Sequence, residues 1–368
     1  MSPISFLFRL RLSFVICGLL LLIPVLSISQ VRQPIPPVIF EYPLPETLSL
    51  CGEPIPLDDR YVWEMLDREF TISVWDRPQV FMWLKRAGRY FPYIERALSE
   101  AGLPDDLKYL AVAESALLPY IRSGKGAVGV WQFMSTTAKG NGLRKDFSMD
   151  ERRNFEEATG AAIKFLKVLK KKFGTWSLAL AGYNMGENGL KKEIKEQKVN
   201  DYFKLNLPLE TERFVFRIAA IKIIMEDPKK YGYNLDSERI YTPVKADRVQ
   251  IKISIPLHIT DLAESIGTEY KAIKELNPQI IGYYLPRGSY KLKVPAGSGT
   301  KVAAVLKTLE TRYSGNKSRL SGSFYTVRRG DTLIHISKRT GISVSMLKRM
   351  NGLGSSLIRV GQKLRIAP

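Results

Sequence analysis

The spacing of apolar positions changes character several times along the chain. Leu12 to Leu26 is almost continuously apolar and follows Arg9 and Arg11. That run is shorter than the ~20 residues a helix needs to cross a bilayer. Ser27 and Ser29 flank Ile28 at signal-peptidase spacing before Gln30. Residues 1–29 are therefore expected to be an export signal, with an uncleaved membrane anchor as the alternative. From Tyr61 to about Asp227 apolar residues recur at helical spacing, as in Val80, Met82, Trp83 and Leu84, and again between Leu103 and Pro119. Val215 to Met225 closes this region before Asp227-Pro228 stops it. Beyond it the period drops to two, and Val249-Gln250-Ile251-Lys252-Ile253 reads as a strand.

The C-terminal part repeats itself. Leu262, Gly267, Ile273, Leu276 and Asn277 match Ile336, Gly341, Leu347, Met350 and Asn351 at a constant offset of 74, and each unit ends in a basic-apolar strand. Such a pattern predicts a duplicated strand, helix, helix, strand module. In the second copy Tyr325-Thr326-Val327 is the first strand, Asp331 or Thr332 caps one helix, Ser343 or Ser345 caps the next, and Leu364-Arg365-Ile366 returns. Seven prolines between residues 30 and 58 predict an extended leader. The expected organisation is then leader 30–58, helical domain 59–243, first module 244–300, helix or linker 301–322 with Ser314 to Ser323 as its flexible part, and second module 323–368.

Composition narrows the chemistry. Lys and Arg total 56 against 36 Asp and Glu, a formal charge of +20, and histidine occurs twice, at His258 and His335. Both histidines lie outside the helical domain. With two cysteines as well, the chain lacks the ligands for most zinc sites and offers no obvious His-based triad. No metal and no cofactor is expected, and acid–base work falls to a carboxylate. Cys17 lies in the apolar core behind Ile16, which disfavours a lipoprotein. Cleavage after residue 29 removes Cys17 and leaves Cys51 without an intramolecular partner. Nine Lys and Arg but a single acid, Asp331, fall in 323–368, so eight of the +20 sit on the last module. Charge alone would fit a nucleic acid, yet an export signal argues against that partner, and none is expected. Lys164, Lys167 and Lys171 line one face of a helix whose other face carries Ile163, Leu166, Leu169 and Phe173, the pattern of a solvated amphipathic helix.

One carboxylate stands out. Leu107, Leu110, Ala111 and Glu114 fall at i, i+3, i+4 and i+7, so Glu114 continues the apolar stripe of its helix. Desolvation there raises its pKa, and its place near a helix C-terminus pushes the same way. A protonated glutamic acid is what a glycosidic leaving oxygen requires of a general acid. A Glu turned outward at a fraying helix end is the competing reading. Gly124-Lys125-Gly126-Ala127-Val128-Gly129 matches the dinucleotide fingerprint by letter, but a helix precedes it where a strand should. Ala181 to Gly186 ends a helix with Tyr183 and Asn184, a ring that can stack on a sugar and an amide that can hydrogen-bond it, or else a plain C-cap.

Glu114-Ser115, Gly129-Val130-Trp131-Gln132-Phe133-Met134, Ala181 to Gly186 and Glu210-Thr211 to Val215, in that order, resemble the four motifs of family 1 lytic transglycosylases. The resemblance implies a mostly α fold with a helical catalytic domain like goose-type lysozyme, followed by small α+β modules. It implies peptidoglycan glycan strands as substrate, Glu114 as the lone catalytic acid and base, and 1,6-anhydromuramyl ends as product. Ser115, Gly129, Gln132, Phe133, Met134, Tyr183 and Asn184 match supporting or sugar-contacting positions. Phe214 stands where the family usually has a tyrosine whose hydroxyl reaches the glutamate. Tyr325-Thr326-Val327-Arg328-Arg329-Gly330-Asp331-Thr332-Leu333 resembles the head of a LysM domain, a family that binds N-acetylglucosamine-containing glycans. That likeness implies glycan contacts at Gly330, Asp331, Thr332 and Asn351. The first copy lacks the Gly-Asp-Thr-Leu opening and looks like a degenerate LysM. A monomer in the periplasm or cell envelope is expected, with membrane association if the N-terminal segment is retained. A hydrolytic muramidase on the same scaffold and a noncatalytic wall-binding protein remain as alternatives.

Overall fold

A computed structural model describes residues 41–366 except 255, 316–323, 341 and 343, with the side chains of 312–315 and 338 also undescribed. The expected export signal, the first part of the leader and the expected cap Ser343 lie outside the described residues. No helix among the described residues is long and apolar enough to cross a membrane.

The first regular structure is a small hairpin of β1 (Ser49–Leu50) and β2 (Glu53–Pro54). Its turn places Cys51 at φ 56° and Gly52 at φ 78°. Leu50 and Ile55 are buried, the Cys51 amide donates to Asp106 at 2.7 Å, and Glu53 accepts from the Trp176 amide at 2.6 Å. Residues 49–57 thus belong to the helical domain, not to the leader expected over 30–58. Proline density was a true sign of non-helical chain, but it carried no information about what the chain packs against.

Among the described residues, nine α-helices follow over 60–226. They are α1 (Arg60–Trp75), α2 (Arg77–Glu100), α3 (Lys108–Ser115), α4 (Ser135–Gly140), α5 (Phe155–Phe173), α6 (Trp176–Met185), α7 (Glu187–Gln197), α8 (Leu209–Glu212) and α9 (Phe214–Glu226). Side-chain caps start the long ones: Asp59 accepts from the amides of Tyr61 and Val62, and Asn154 from those of Glu156 and Glu157. Helix α5 also carries Glu156 and Glu157 in its first turn and Lys170, Lys171 and Lys172 in its last, the arrangement the helix dipole favours. Helix α9 is apolar on almost every side, with Phe214, Val215, Ile218, Ala219, Ile221 and Ile224 among its buried residues. It forms the axis of the domain, with α1, α3 and α6 packed around it.

In the first module β3 (Ala246–Ile253) precedes β4 (Leu257–His258), α10 (Ile259–Ile266), α11 (Tyr270–Leu276), β5 (Tyr284–Leu285) and β6 (Gly288–Pro295). Strands β3 and β6 pair antiparallel from Ala246 opposite Pro295 to Ile253 opposite Gly288. Helix α12 (Gly299–Gly315) buries Val302, Leu306 and Leu309 in the same core as Leu262, Ile273 and Leu292. The helix expected as part of a linker over 301–322 is therefore a third helix of the first module. In the second module β7 (Phe324–Thr326), α13 (Leu333–Thr340), α14 (Val344–Met350) and β8 (Lys363–Arg365) enclose Ile336, Leu347 and Leu364. Of the two expected caps, Thr332 takes the role, accepting from the His335 amide at 3.1 Å.

The repeat read from sequence has a physical core. Asn277 donates to the carbonyls of Ile273 and Lys293 and accepts from the Lys293 amide. Asn351 does the same with Leu347 and Arg365. Each asparagine ties the end of the second helix to the returning strand. Asn277→Ala would take from the half-buried Lys293 amide and carbonyl the side-chain partner they have at the fully buried Asn277, and a loss of about 2 kcal/mol in unfolding free energy is expected. An unchanged denaturant midpoint would contradict that role.

Candidate active site

Helix α3 is fastened at both ends. Lys108 opens it with bonds to Glu95 at 2.8 Å and Asp105 at 2.5 Å. It stops because Ala116 and Leu117 both turn left-handed, at φ 50° and 62°. Non-glycine residues hold such angles only where their surroundings over-determine them. Here Leu117 is fully buried and Arg86 donates to the Ala116 carbonyl at 3.0 Å. The Glu114 carboxyl is left half-buried in the last turn, and among the described residues it accepts no hydrogen bond. Burial pushes its pKa up to about 8, with Arg217 pulling down and Glu210 pushing up. A carboxyl in that state is a proton donor at neutral pH.

The segment from Ile121 to Met134 is gripped from three sides. Ser115 donates to the Val130 carbonyl at 2.7 Å, and Tyr183 donates to the next carbonyl, that of Trp131, at 2.7 Å. The fully buried Trp131 indole donates to Thr159 at 2.9 Å. Gly129 lies at φ 89°, and a Cβ there would stand 1.8 Å from the Arg152 carbonyl oxygen. Gln132, at φ 46°, folds its amide back to the Gly129 carbonyl at 2.7 Å. Phe133 is buried among the rings of Phe165 and Tyr183, while Met134 is exposed. Burial beside Glu114 raises the Tyr183 hydroxyl well above its usual range, which keeps it a hydrogen-bond donor.

The remaining expected residues sit at or near this frame. Asn184 accepts from the buried Thr211 hydroxyl at 2.8 Å, linking α6 to α8. Phe214 is buried at the start of α9, the helix that packs on α3. In the second module Gly330 supplies a turn at φ 85°. Asp331 accepts from the Arg328 amide and the Tyr325 hydroxyl, Thr332 caps α13, and Asn351 clasps β8. Asp331, Thr332 and Asn351 thus each make a hydrogen bond within the module, with Thr332 exposed and Asp331 and Asn351 half-buried.

Sequence reasoning missed Glu69. This buried carboxylate accepts from Arg68 at 2.5 Å, Arg213 at 2.6 Å and Arg217 at 3.4 Å. It holds in place the arginine that acts electrostatically on Glu114. The signal was available: Val62, Leu66, Glu69 and Ser73 share the buried stripe of α1, the same anomaly that singled out Glu114. Arg152 was also missed, and it carries two loop carbonyls, donating to Gly126 at 3.1 Å and Phe133 at 3.0 Å.

Residues 92–206 match the family model of the transglycosylase SLT domain, and residues 325–367 match that of the LysM domain. The chain therefore carries an SLT transglycosylase domain and a C-terminal LysM domain. It is 31% identical over 297 residues to membrane-bound lytic murein transglycosylase D of Escherichia coli strain K12, covering 76% of this chain and 64% of that protein. The chain thus spans just under two thirds of that relative's length. It is 36% identical over 105 residues to the N-acetylmuramoyl-L-alanine amidase sle1 of Staphylococcus aureus strain MRSA252, covering 28% of this chain and 29% of that protein. The crystal structure of the 70 kDa soluble lytic transglycosylase of Escherichia coli overlaps 48% of this chain and 33% of its own at a TM-score of 0.34 and 17% identity. The SLT match encloses Glu114, the 129–134 segment and Tyr183, and stops short of Phe214.

Two measurements address this geometry without an activity assay. Gly129→Ala combines a left-handed angle with a collision against backbone, and a loss of about 2 kcal/mol in stability is expected; a variant as stable as the parent would contradict the close packing. For Glu114, the folded-state pKa of about 8 lies above the ordinary 4.5. The folded protein therefore loses stability as pH rises between those values. Glu114→Gln escapes this loss, so its melting temperature should exceed the parent's by more at pH 8.5 than at pH 5.

Proposed function

We propose that this protein is a peptidoglycan lytic transglycosylase and that Glu114 is its catalytic acid and base. What carries the reading is a half-buried carboxyl that accepts no hydrogen bond among the described residues, its pKa raised by desolvation to about 8, next to a loop held by Ser115 and Tyr183. In the reaction Glu114 gives its proton to the oxygen linking N-acetylmuramic acid to N-acetylglucosamine as the C1–O bond breaks. The muramyl 6-hydroxyl then bonds to C1 and returns its proton to Glu114. The product is a 1,6-anhydro ring, and no water is consumed. A nucleophile within the substrate needs no second carboxylate to activate water. Nearby acids are already committed, Glu69 to three arginines and the exposed Glu210 to Lys125 at 2.9 Å.

Ser115 and Tyr183 serve as positioning groups for the 130–131 carbonyls, while Gln132, Met134 and Asn184 line the glycan path. The helical domain acts as the catalytic domain and 323–368 as a wall-binding module, on which nine basic residues add attraction to an anionic envelope. Within the envelope the chain works as a monomer, held to the membrane if its N-terminal segment is retained. Phe214 is the observation that favours a second reading, a noncatalytic glycan-binding protein, because it supplies no hydroxyl to Glu114.

Mass spectrometry of digested peptidoglycan separates the readings. Anhydro ends made by the parent and absent with Glu114→Gln are expected; reducing ends formed by water would indicate a muramidase, and no cleavage a binding protein. Since the acid must be protonated, activity should fall as pH rises through about 8. Phe214→Tyr, if its hydroxyl reaches Glu114 and stabilises the anion, should move that fall to lower pH. Removing 323–368 should weaken retention on insoluble peptidoglycan and spare cleavage of short soluble strands; equal retention would refute the anchoring role.

A further inference from the structure

The first module is locked to the helical domain through residues 143–152. Asp146 shapes this segment, accepting from the Ser148 amide at 2.7 Å, the Ser148 hydroxyl at 2.8 Å and the Met149 amide at 2.9 Å. Arg144 bonds Asp146 at 2.5 Å and lies over the Tyr290 ring at 5.4 Å. The segment then adds itself to the module as a short strand. The Ile281 amide donates to the Ser148 carbonyl at 2.6 Å, and the Asp150 amide donates to the Gln279 carbonyl at 2.8 Å. Between them Met149, from the helical domain, is 4% exposed and lies in the module's own core with Ile251, Leu262 and Ile280. A second line of contact runs along the first turn of α5, where Glu156 pairs with Arg248 at 2.6 Å and Lys293 at 2.8 Å.

The docked segment continues directly into the support of the 126–133 loop. Asp150 and Arg152 form a two-bonded pair at 2.8 and 2.7 Å, with side chains 6% and 4% exposed. The Arg152 guanidinium goes on to the carbonyls of Gly126 and Phe133, at the two ends of the 126–133 loop, and its own carbonyl presses on Gly129. An ion pair removed from water keeps its geometry only while every arm is satisfied. The backbone of Asp150 is satisfied by the module, at Gln279.

We propose that the first module is a working part of the catalytic body, holding the 126–133 loop in register with Glu114 through Met149, Asp150 and Arg152. Asp150 and Arg152 are positioning residues, and Met149 is the apolar key that seats the module. The kinetic part rests on the function proposed above; the structural part does not. Only the second module then remains free to act as a wall anchor on the far side of residues 316–323.

The test uses the full chain with Met149→Ser, Met149→Leu and Asp150→Asn, read by amide hydrogen exchange and by steady-state cleavage of glycan strands. Met149→Ser and Asp150→Asn should each speed exchange in 126–133 about tenfold or more while α3 stays protected. They should lower kcat on the order of tenfold with KM little changed, since a loop displaced from the reacting groups costs rate more than binding. Met149→Leu should behave as the parent. Faster exchange confined to 277–282, with 126–133 and kcat unchanged, would overturn the proposal. If Met149→Ser fails to fold, Asp150→Asn carries the same two outcomes. If the chain cleaves nothing, the exchange arm still decides whether the module holds the loop.

Discussion

The arrangement around Glu114 depends on one constraint, that a carboxyl must be kept neutral at the end of a helix without being hydrogen-bonded into inertness. Burial meets the first half, raising the acid to about 8. The second half is met by giving hydrogen bonds to the neighbours. Ser115 turns to Val130 and Tyr183 to Trp131, so both hydroxyls donate to backbone carbonyls of the neighbouring loop. Arg217, which opposes the raised pKa, is itself held by Glu69. The balance between desolvation and a restrained arginine sets how firmly the proton is held, and both depend on the packing of α9 against α1 and α3.

Much of the scaffold was legible because it follows from local chemistry. The apolar run ending at Asp227-Pro228 is α9, and the alternation from Val249 to Ile253 lies in β3. The offset of 74 corresponds to two modules closed by equivalent asparagines. Glu114 could be picked out because a charged residue on an apolar stripe is an anomaly one helix long. What escaped were pairings between distant segments. Glu69 meets Arg213 from 144 residues away, and Glu53 meets Trp176 from 123. Periodicity shows that a residue faces inward, but not which charge it will meet there. The hairpin at 49–54 and the allegiance of α12 were obscured for the same reason.

The charge excess also has a structural address. Basic residues of the first module, Arg248, Lys291 and Lys293, are turned onto Glu156 and Glu157 of α5, so they serve docking. In the second module Arg339 meets Asp331, the single acid beside nine Lys and Arg over 323–368. The two modules thus differ in their contacts. The first is bound to the helical domain by strand addition, a buried methionine and ion pairs, and the second retains the LysM signature and a surplus of positive charge.

The protonation of Glu114 can be measured directly by carboxyl carbon NMR on the full chain with labelled glutamate, assigned by comparison with Glu114→Gln. A resonance titrating with a midpoint near 8 is the result the structure predicts. A midpoint at the ordinary 4.5 would leave Glu114 ionised at neutral pH and would contradict its role as the acid.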